Sequence, residues 1–171
     1  MGDERIRQAI EAATGFLQEN PDAARSTDSA ASASIVDGLV VEVSGPKGER
    51  IVTDMVPSVG GTATAPSPGW LLRAAEASCV ATLIAMRAAM LGITLTALEV
   101  MVDSESDDRG LLGIDESVPA GPLRGRVAVR LAADGIESVV LEEMARWGVA
   151  HCPVCDAVER AVPVSVEIAT A

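Results

Sequence analysis

The spacing of apolar and polar positions changes several times along this chain, and each change marks an element. Ile6, Ile10, Ala13, Phe16 and Leu17 recur at helical spacing with charges on the opposite face, which predicts an amphipathic helix over Asp3–Gln18 ended by Asn20-Pro21. Residues 22–34 are small and polar, the composition of a linker. Residues 35–44 are rich in Val and read as strand with a turn at Asp37-Gly38; Gly45-Pro46-Lys47-Gly48 reverses the chain, and 50–55 return as a second strand. Residues 97–103 alternate through Leu98, Val100 and Val102, and 111–114 form a short apolar run that reads as a strand. Residues 124–132 alternate cleanly, with Val127, Val129 and Leu131 inward and Arg126, Ala128 and Arg130 outward. A helix over 136–149 with Val140, Met144 and Trp147 inward is broken at Cys152-Pro153, a short helix runs to Arg160, and 163–169 alternate as a final strand. Strands cluster before and after the helices instead of alternating with them, so the fold class is α+β and not a doubly wound sheet.

The longest element is different in kind. Ser67 stands where an N-cap belongs, Pro68 fits the first helical position, and Gly92 is a C-terminal stop, which bounds a helix over 68–91. Residues 77–86 carry no charge, so this part of the helix is expected to be enclosed on nearly all sides, as the centre of a domain or a subunit contact. Cys79 lies within it. Residues 1–24 are read as an N-terminal helical extension and 25–171 as a single domain, in keeping with about 100–200 residues per domain.

Composition narrows the function. The chain has 171 residues, 49% of them hydrophobic, yet only two Trp, one Phe and no Tyr, so aromatic stacking on nucleic-acid bases is poorly served. With 13 Lys and Arg against 25 Asp and Glu, the net charge of −12 disfavours nucleic acid and anionic membrane surfaces alike. The first residues are charged and have no apolar run behind them, and ten uncharged apolar residues fall short of the about 20 that span a bilayer, so a soluble, cytoplasmic protein is expected. In such a compartment three cysteines point to thiol chemistry or metal binding before structural disulfides.

Two places can carry that chemistry. Cys79 sits about three turns into its helix, too far from the N-terminus to gain from it, and a buried Cys can also pack simply as a small hydrophobe. Glu76, one turn upstream, has the wrong sign to favour a thiolate and suits proton handling better. His151-Cys152-Pro153-Val154-Cys155 is the second place. Pro153 at a first helical position sets Cys152 at the N-cap and Cys155 near the third position, both facing unpaired backbone N–H groups. Two cysteines with two residues between them fit a redox pair or half a zinc site, and with Cys79 and His151 they make up a Cys₃His set. Gly-x-Gly-x-x-Gly, Walker, His-Glu-x-x-His and nucleophile-elbow motifs are absent.

The order of several short motifs resembles the OsmC/Ohr family of thiol-dependent peroxidases (osmotically inducible protein C and organic hydroperoxide resistance proteins). Those motifs are Asp54, Gly60-Gly61, Pro66-Ser67-Pro68 with Leu71-Leu72 and Ala74-Ala75 leading to Cys79, Leu98-Glu99-Val100, Arg109-Gly110 with Gly113, Cys152-Pro153-Val154, and Val162-Pro163-Val164. The resemblance covers about residues 35–168. It implies an OsmC-like α+β fold in an intertwined homodimer, with long central helices wrapped by antiparallel-rich sheets and thiol sites at the subunit interface. It also implies catalysis by Cys79, which attacks an organic hydroperoxide and is left as a sulfenic acid, and by Cys152, which condenses with it to a disulfide. An external dithiol, lipoyl groups in some members, then reduces that disulfide, and no bound cofactor or metal takes part. Three positions depart from the pattern. Val40 or Val41 stands where peroxidases of the family carry a thiolate-stabilising Arg, Gly69 and Trp70 stand where the Glu that holds it belongs, and Cys155 replaces a small residue and joins the candidate catalytic set. These departures leave two alternatives open: a catalytically impaired OsmC-like dimer that binds a small apolar ligand, and a Cys/His zinc-binding protein.

Overall fold

The computed structural model describes residues 2–170, and the chain divides into two compact units, Arg5–Ala75 and the part from Glu76 onward. Most of the first helix, α1 (Gly2–Glu19), belongs to the first unit. The backbone N–H and side-chain Nδ2 of Asn20 both donate to the Phe16 carbonyl at 2.9 Å, closing the helix just before Pro21. A single 3₁₀ turn, Pro21–Ala24, follows. Three strands then form an antiparallel sheet in sequence order: β1 (Ser32–Asp37), β2 (Val40–Ser44) and β3 (Arg50–Thr53). Gly38, at φ +52°, supplies the left-handed backbone of the first turn. The Glu49 carboxylate accepts from the Lys47 N–H at 2.9 Å in the second. Ile35, Val36, Ile51 and Val52 are exposed on this sheet.

The first unit also holds a buried carboxylate. Asp54, directly after β3, is 1% exposed and accepts hydrogen bonds from the backbone N–H of Met55, Thr62 and Thr64 at 2.7, 3.1 and 3.0 Å. The hydroxyls of Thr62 and Thr64 add bonds of 2.6 and 3.0 Å. The Thr62 hydroxyl is the strongest of these influences, and together they hold the Asp54 carboxyl far below the usual carboxylate range against the opposing effect of burial. The polar loop leading to the central helix is thereby tied to one anion.

The central helix, α2 (Pro68–Leu91), begins in the first unit and has its residues from Glu76 in the second. Ser67 caps it as its sequence predicts, its Oγ accepting from the Trp70 N–H at 3.2 Å. At the other end Gly92 takes φ +69°, and the N–H groups of Gly92 and Ile93 return to the carbonyls of Ala89 and Ala88 at 3.1 and 2.9 Å, the paired bonds of a Schellman motif. By length and composition alone α2 could cross a bilayer. In this structure it forms the core of its unit, with Val80, Ile84, Ala88 and Ala89 buried.

Two long strands form the second sheet, an antiparallel pair of β4 (Ala97–Glu105) and β5 (Arg124–Ala132). Both alternate as expected. Leu98, Val100, Val127, Val129 and Leu131 pack on the core, and on the other face Glu99–Arg130, Asp103–Arg126 and Glu105–Arg124 form ion pairs directly across the ladder. A one-residue slip would break all three pairs and turn the apolar face outward, so pattern and charge fix the same register. Between the strands lies α3 (Asp108–Leu111), a single helical turn capped by Asp107, whose carboxylate accepts from the Arg109 N–H at 3.0 Å. This corrects the strand expected at 111–114. The apolar run there is too short to fix a period, and Asp107 together with Gly113 at φ +65° makes a turn of it.

The unit is completed by α4 (Ser138–Ala150) and α5 (Pro153–Glu159). Met144 is 2% exposed and packs in one cluster with Val80, Ile84 and Ala88; a fully buried side chain of this size contributes about 1.5–3 kcal/mol. The crossing of α2 and α4 is set by Gly148, where a Cβ would lie 2.5 Å from Ile84 Cγ1 and 3.2 Å from the Ile84 backbone nitrogen. Beyond α5 the expected final strand over 163–169 is not formed. Val164, Val166 and Ile168 are 81%, 77% and 85% exposed. Alternation supplies a strand with a face, but a strand also needs a neighbouring backbone, and among the described residues none pairs with this segment.

Candidate thiol site

All three cysteines are free thiols, and they meet in the second unit. Cys79 comes from the third turn of α2. Cys152 is the N-cap of α5, in extended conformation at φ −77°, ψ 110°, and its Sγ accepts from the Cys155 N–H at 3.2 Å. Pro153 makes this arrangement local: it cannot extend α4, and its fixed φ starts a new helix whose free N–H groups point back at Cys152. Cys152 and Cys155 belong to one buried cluster, and Cys79 packs against it from α2. Only Cys79 is partly exposed; Cys152 and Cys155 are 1% and 6% exposed.

Three sulfurs this close cannot all ionise, and their surroundings rank them. Burial pushes the Cys152 thiol up, but hydrogen bonds from the Cys155 side chain and backbone, from Cys79 and from the Val154 N–H outweigh it and hold Cys152 below the ordinary thiol value. Burial pushes Cys79 up as well; the Val154 N–H opposes that rise, and the hydrogen bond and charge of Cys152 reinforce it. Cys155 is pushed up to about 12, by burial first, then by the hydrogen bond and charge of Cys152 and the charges of Glu76 and Cys79. Of the three, Cys152 is the one whose surroundings lower its hold on the proton, while those of Cys79 and Cys155 strengthen theirs. Val154, whose backbone N–H serves both Cys79 and Cys152, carried no sequence signal beyond its place after Pro153.

His151 does not join the thiols. Its Nδ1 lies 2.8 Å from the Trp147 carbonyl and its ring stacks on Trp147 with centroids 4.1 Å apart, while the Arg87 guanidinium sits 5.1 Å from the same indole ring. Among the described residues no group of three or more His, Cys, Asp or Glu is placed to hold a metal ion, so the Cys₃His set of the zinc alternative is not assembled. Val40 and Val41 lie on β2, and Gly69 and Trp70 in the first turn of α2. A charged side chain that does act on the cluster is Glu76, whose sign opposes thiolate formation.

A family model for OsmC-like proteins matches residues 61–167, and the chain belongs to that family. Comparison with curated proteins gives no match. Among solved structures, an OsmC-like protein from Mycoplasma pneumoniae is similar at a TM-score of 0.68 and 14% identity, covering 80% of this chain and 91% of its own. An organic hydroperoxide resistance protein OsmC from Legionella pneumophila gives 0.58 at 19% identity, covering 78% and 90%, and OhrB, the organic hydroperoxide resistance protein of Bacillus subtilis, gives 0.52 at 16%, covering 79% and 93%. At these identities the likeness shows the fold, which is OsmC-like.

Proposed function

We propose that this protein is a thiol-dependent peroxidase that reduces organic hydroperoxides through Cys79 and Cys152. The observation that carries the reading is the packing of Cys79, from the middle of α2, against the buried cluster that holds Cys152, the cap of α5. Cys79 is the sulfur that solvent reaches. Its proton passes to the Cys152 thiolate as Cys79 attacks the distal oxygen of the hydroperoxide; the O–O bond breaks, and the departing alkoxide takes that proton from Cys152 as the alcohol. Cys79 is left as a sulfenic acid. Cys152, again a thiolate, attacks the Cys79 sulfur, hydroxide is expelled and takes a proton from solvent to become water, and the Cys79–Cys152 disulfide remains. An external dithiol, of lipoyl type in some relatives, returns both sulfurs to the reduced state by exchange.

In this scheme Cys152 does the work that the family's Arg–Glu pair performs elsewhere. It acts as the proton acceptor for Cys79, and Val40, Val41, Gly69 and Trp70 need supply no charge. Association as a homodimer is part of the proposal, supported by the alternating exposed Val162, Val164, Val166 and Ile168 and by the apolar residues exposed on β1 and β3. Turnover of cumene hydroperoxide with a dithiol tests the reading: the Cys79→Ser variant loses activity, and equal rates for variant and wild type reject it. The raised proton affinity of Cys79 favours a second reading, a redox-slow member of the family. Under that reading wild-type protein treated with cumene hydroperoxide in the absence of dithiol releases no alcohol, whereas stoichiometric release supports the peroxidase.

A further inference from the structure

Two sulfurs complete the cycle above, and the chain buries a third beside them. Cys155 lies one helical turn after Cys152 on α5, 6% exposed, its backbone N–H donating to the Cys152 sulfur at 3.2 Å and its side chain buried in the same cluster. Cys79 reaches Cys152 from α2. Cys152 thus has a cysteine on either side, one toward solvent and one away from it. A disulfide at Cys152 can form with either neighbour, and exchange between them needs only the attack of the third sulfur on the central one.

We propose that Cys155 is a further catalytic residue: it displaces Cys79 from Cys152, so that oxidation is relayed inward and stored as a Cys152–Cys155 disulfide. The inference rests on the peroxidase reading and extends it. Cys155, losing its proton, attacks Sγ of Cys152 in the Cys79–Cys152 disulfide; the Cys152–Cys155 bond forms, the Cys79–Cys152 bond breaks, and the expelled Cys79 thiolate takes up the proton. No electrons enter or leave in this step. The hydroperoxide remains the oxidant of the cycle, and an external dithiol reduces the Cys152–Cys155 bond at its end. The surroundings also order the step in time. While Cys152 is a thiolate, its charge and hydrogen bond help keep Cys155 protonated. Once Cys152 is in a disulfide that charge is gone, and the hindrance to Cys155 as a nucleophile falls. Cys79 is set free as a thiol, while Cys152, its proton acceptor, stays in the disulfide.

Full-length reduced protein is treated with cumene hydroperoxide in the absence of dithiol, quenched in acid, alkylated and mapped by mass spectrometry. With one equivalent of oxidant, wild type is expected to carry a Cys152–Cys155 disulfide and an alkylated Cys79, and the Cys155→Ser variant a Cys79–Cys152 disulfide. Persistence of Cys79–Cys152 with Cys155 alkylated in wild type overturns the relay and leaves the peroxidase reading standing. A Cys152–Cys155 bond in wild type with no disulfide in Cys155→Ser also overturns it, since the pair would then be oxidised without Cys79. Three alkylated cysteines and no alcohol overturn the peroxidase reading and the relay with it.

Discussion

Each unit of the protein buries one polar centre, and the two are built on opposite plans. At Asp54 a single anion receives five hydrogen bonds from Met55, Thr62 and Thr64, so every demand of the buried carboxylate is met and it has nothing left to do but hold its loop. At Cys152 the sulfur accepts one backbone N–H, from Cys155, and its cluster also holds the thiols of Cys155 and Cys79. A carboxylate supplied with donors is inert. A thiolate whose stabilising partners are themselves nucleophiles is poised to react. Burial as such does not separate a structural from a chemical site; the identity of the donors does.

Breaking the reactive centre gives the largest effect. Replacing Cys79 by Ser is expected to lower kcat/KM for cumene hydroperoxide by about 1,000-fold or more, as loss of an attacking atom does, with the fold intact by circular dichroism. Cys152→Ser removes both the proton acceptor and the partner of the disulfide. Steady-state turnover falls by about 100-fold, and the Cys79 sulfenate that forms persists for want of a partner thiol. A smaller effect comes from the frame around the sulfurs. Gly148→Ala places a methyl group against Ile84 and is expected to cost about 1–3 kcal/mol in chemical denaturation.

The smallest effect sharpens the other side of the comparison. The Asp54 carboxyl titrates lower in the folded protein than in the unfolded chain, so its contribution to stability is fully present above the unfolded value of about 3.8 and is lost as pH falls below it toward the folded value. Asp54→Asn is therefore expected to lower the melting temperature at neutral pH and to flatten its decline in acid, while the alkylation rate of Cys152 is unmoved. An unchanged acid profile in that variant would mean that the carboxylate does not hold the loop.

The parts of this fold that could be read in the sequence are those decided locally. Ser67-Pro68 and Gly92 bound α2 because caps act within a turn, the alternation of 124–132 reproduces β5, and Pro153 alone is enough to start α5 with Cys152 at its cap. Partners at a distance were harder to see. Thr62 and Thr64 lie eight and ten positions after Asp54 in a stretch that reads as plain loop; the faint signal was a pair of threonines spaced by two, downstream of an Asp that closes a strand. The 163–169 segment failed for the converse reason, since a strand pattern predicts a face and not the backbone that pairs with it. For the site, sequence supplied the three cysteines. Which of them parts most readily with its proton depends on neighbours brought together from two helices, and no spacing encodes that.

The missing side chain at position 148 reaches further than its own contact. Three residues separate Gly148 from Cys152, and the closeness that the bare backbone permits to Ile84 also governs how far the following turn stands from the helix that carries Cys79. Bond formation between sulfurs tolerates little play, with Cα atoms within about 7 Å. The redox reach of this molecule is thus gauged by a hydrogen atom: efforts to quicken or silence its chemistry without touching a cysteine should begin there, where one carbon would prise the electron path apart.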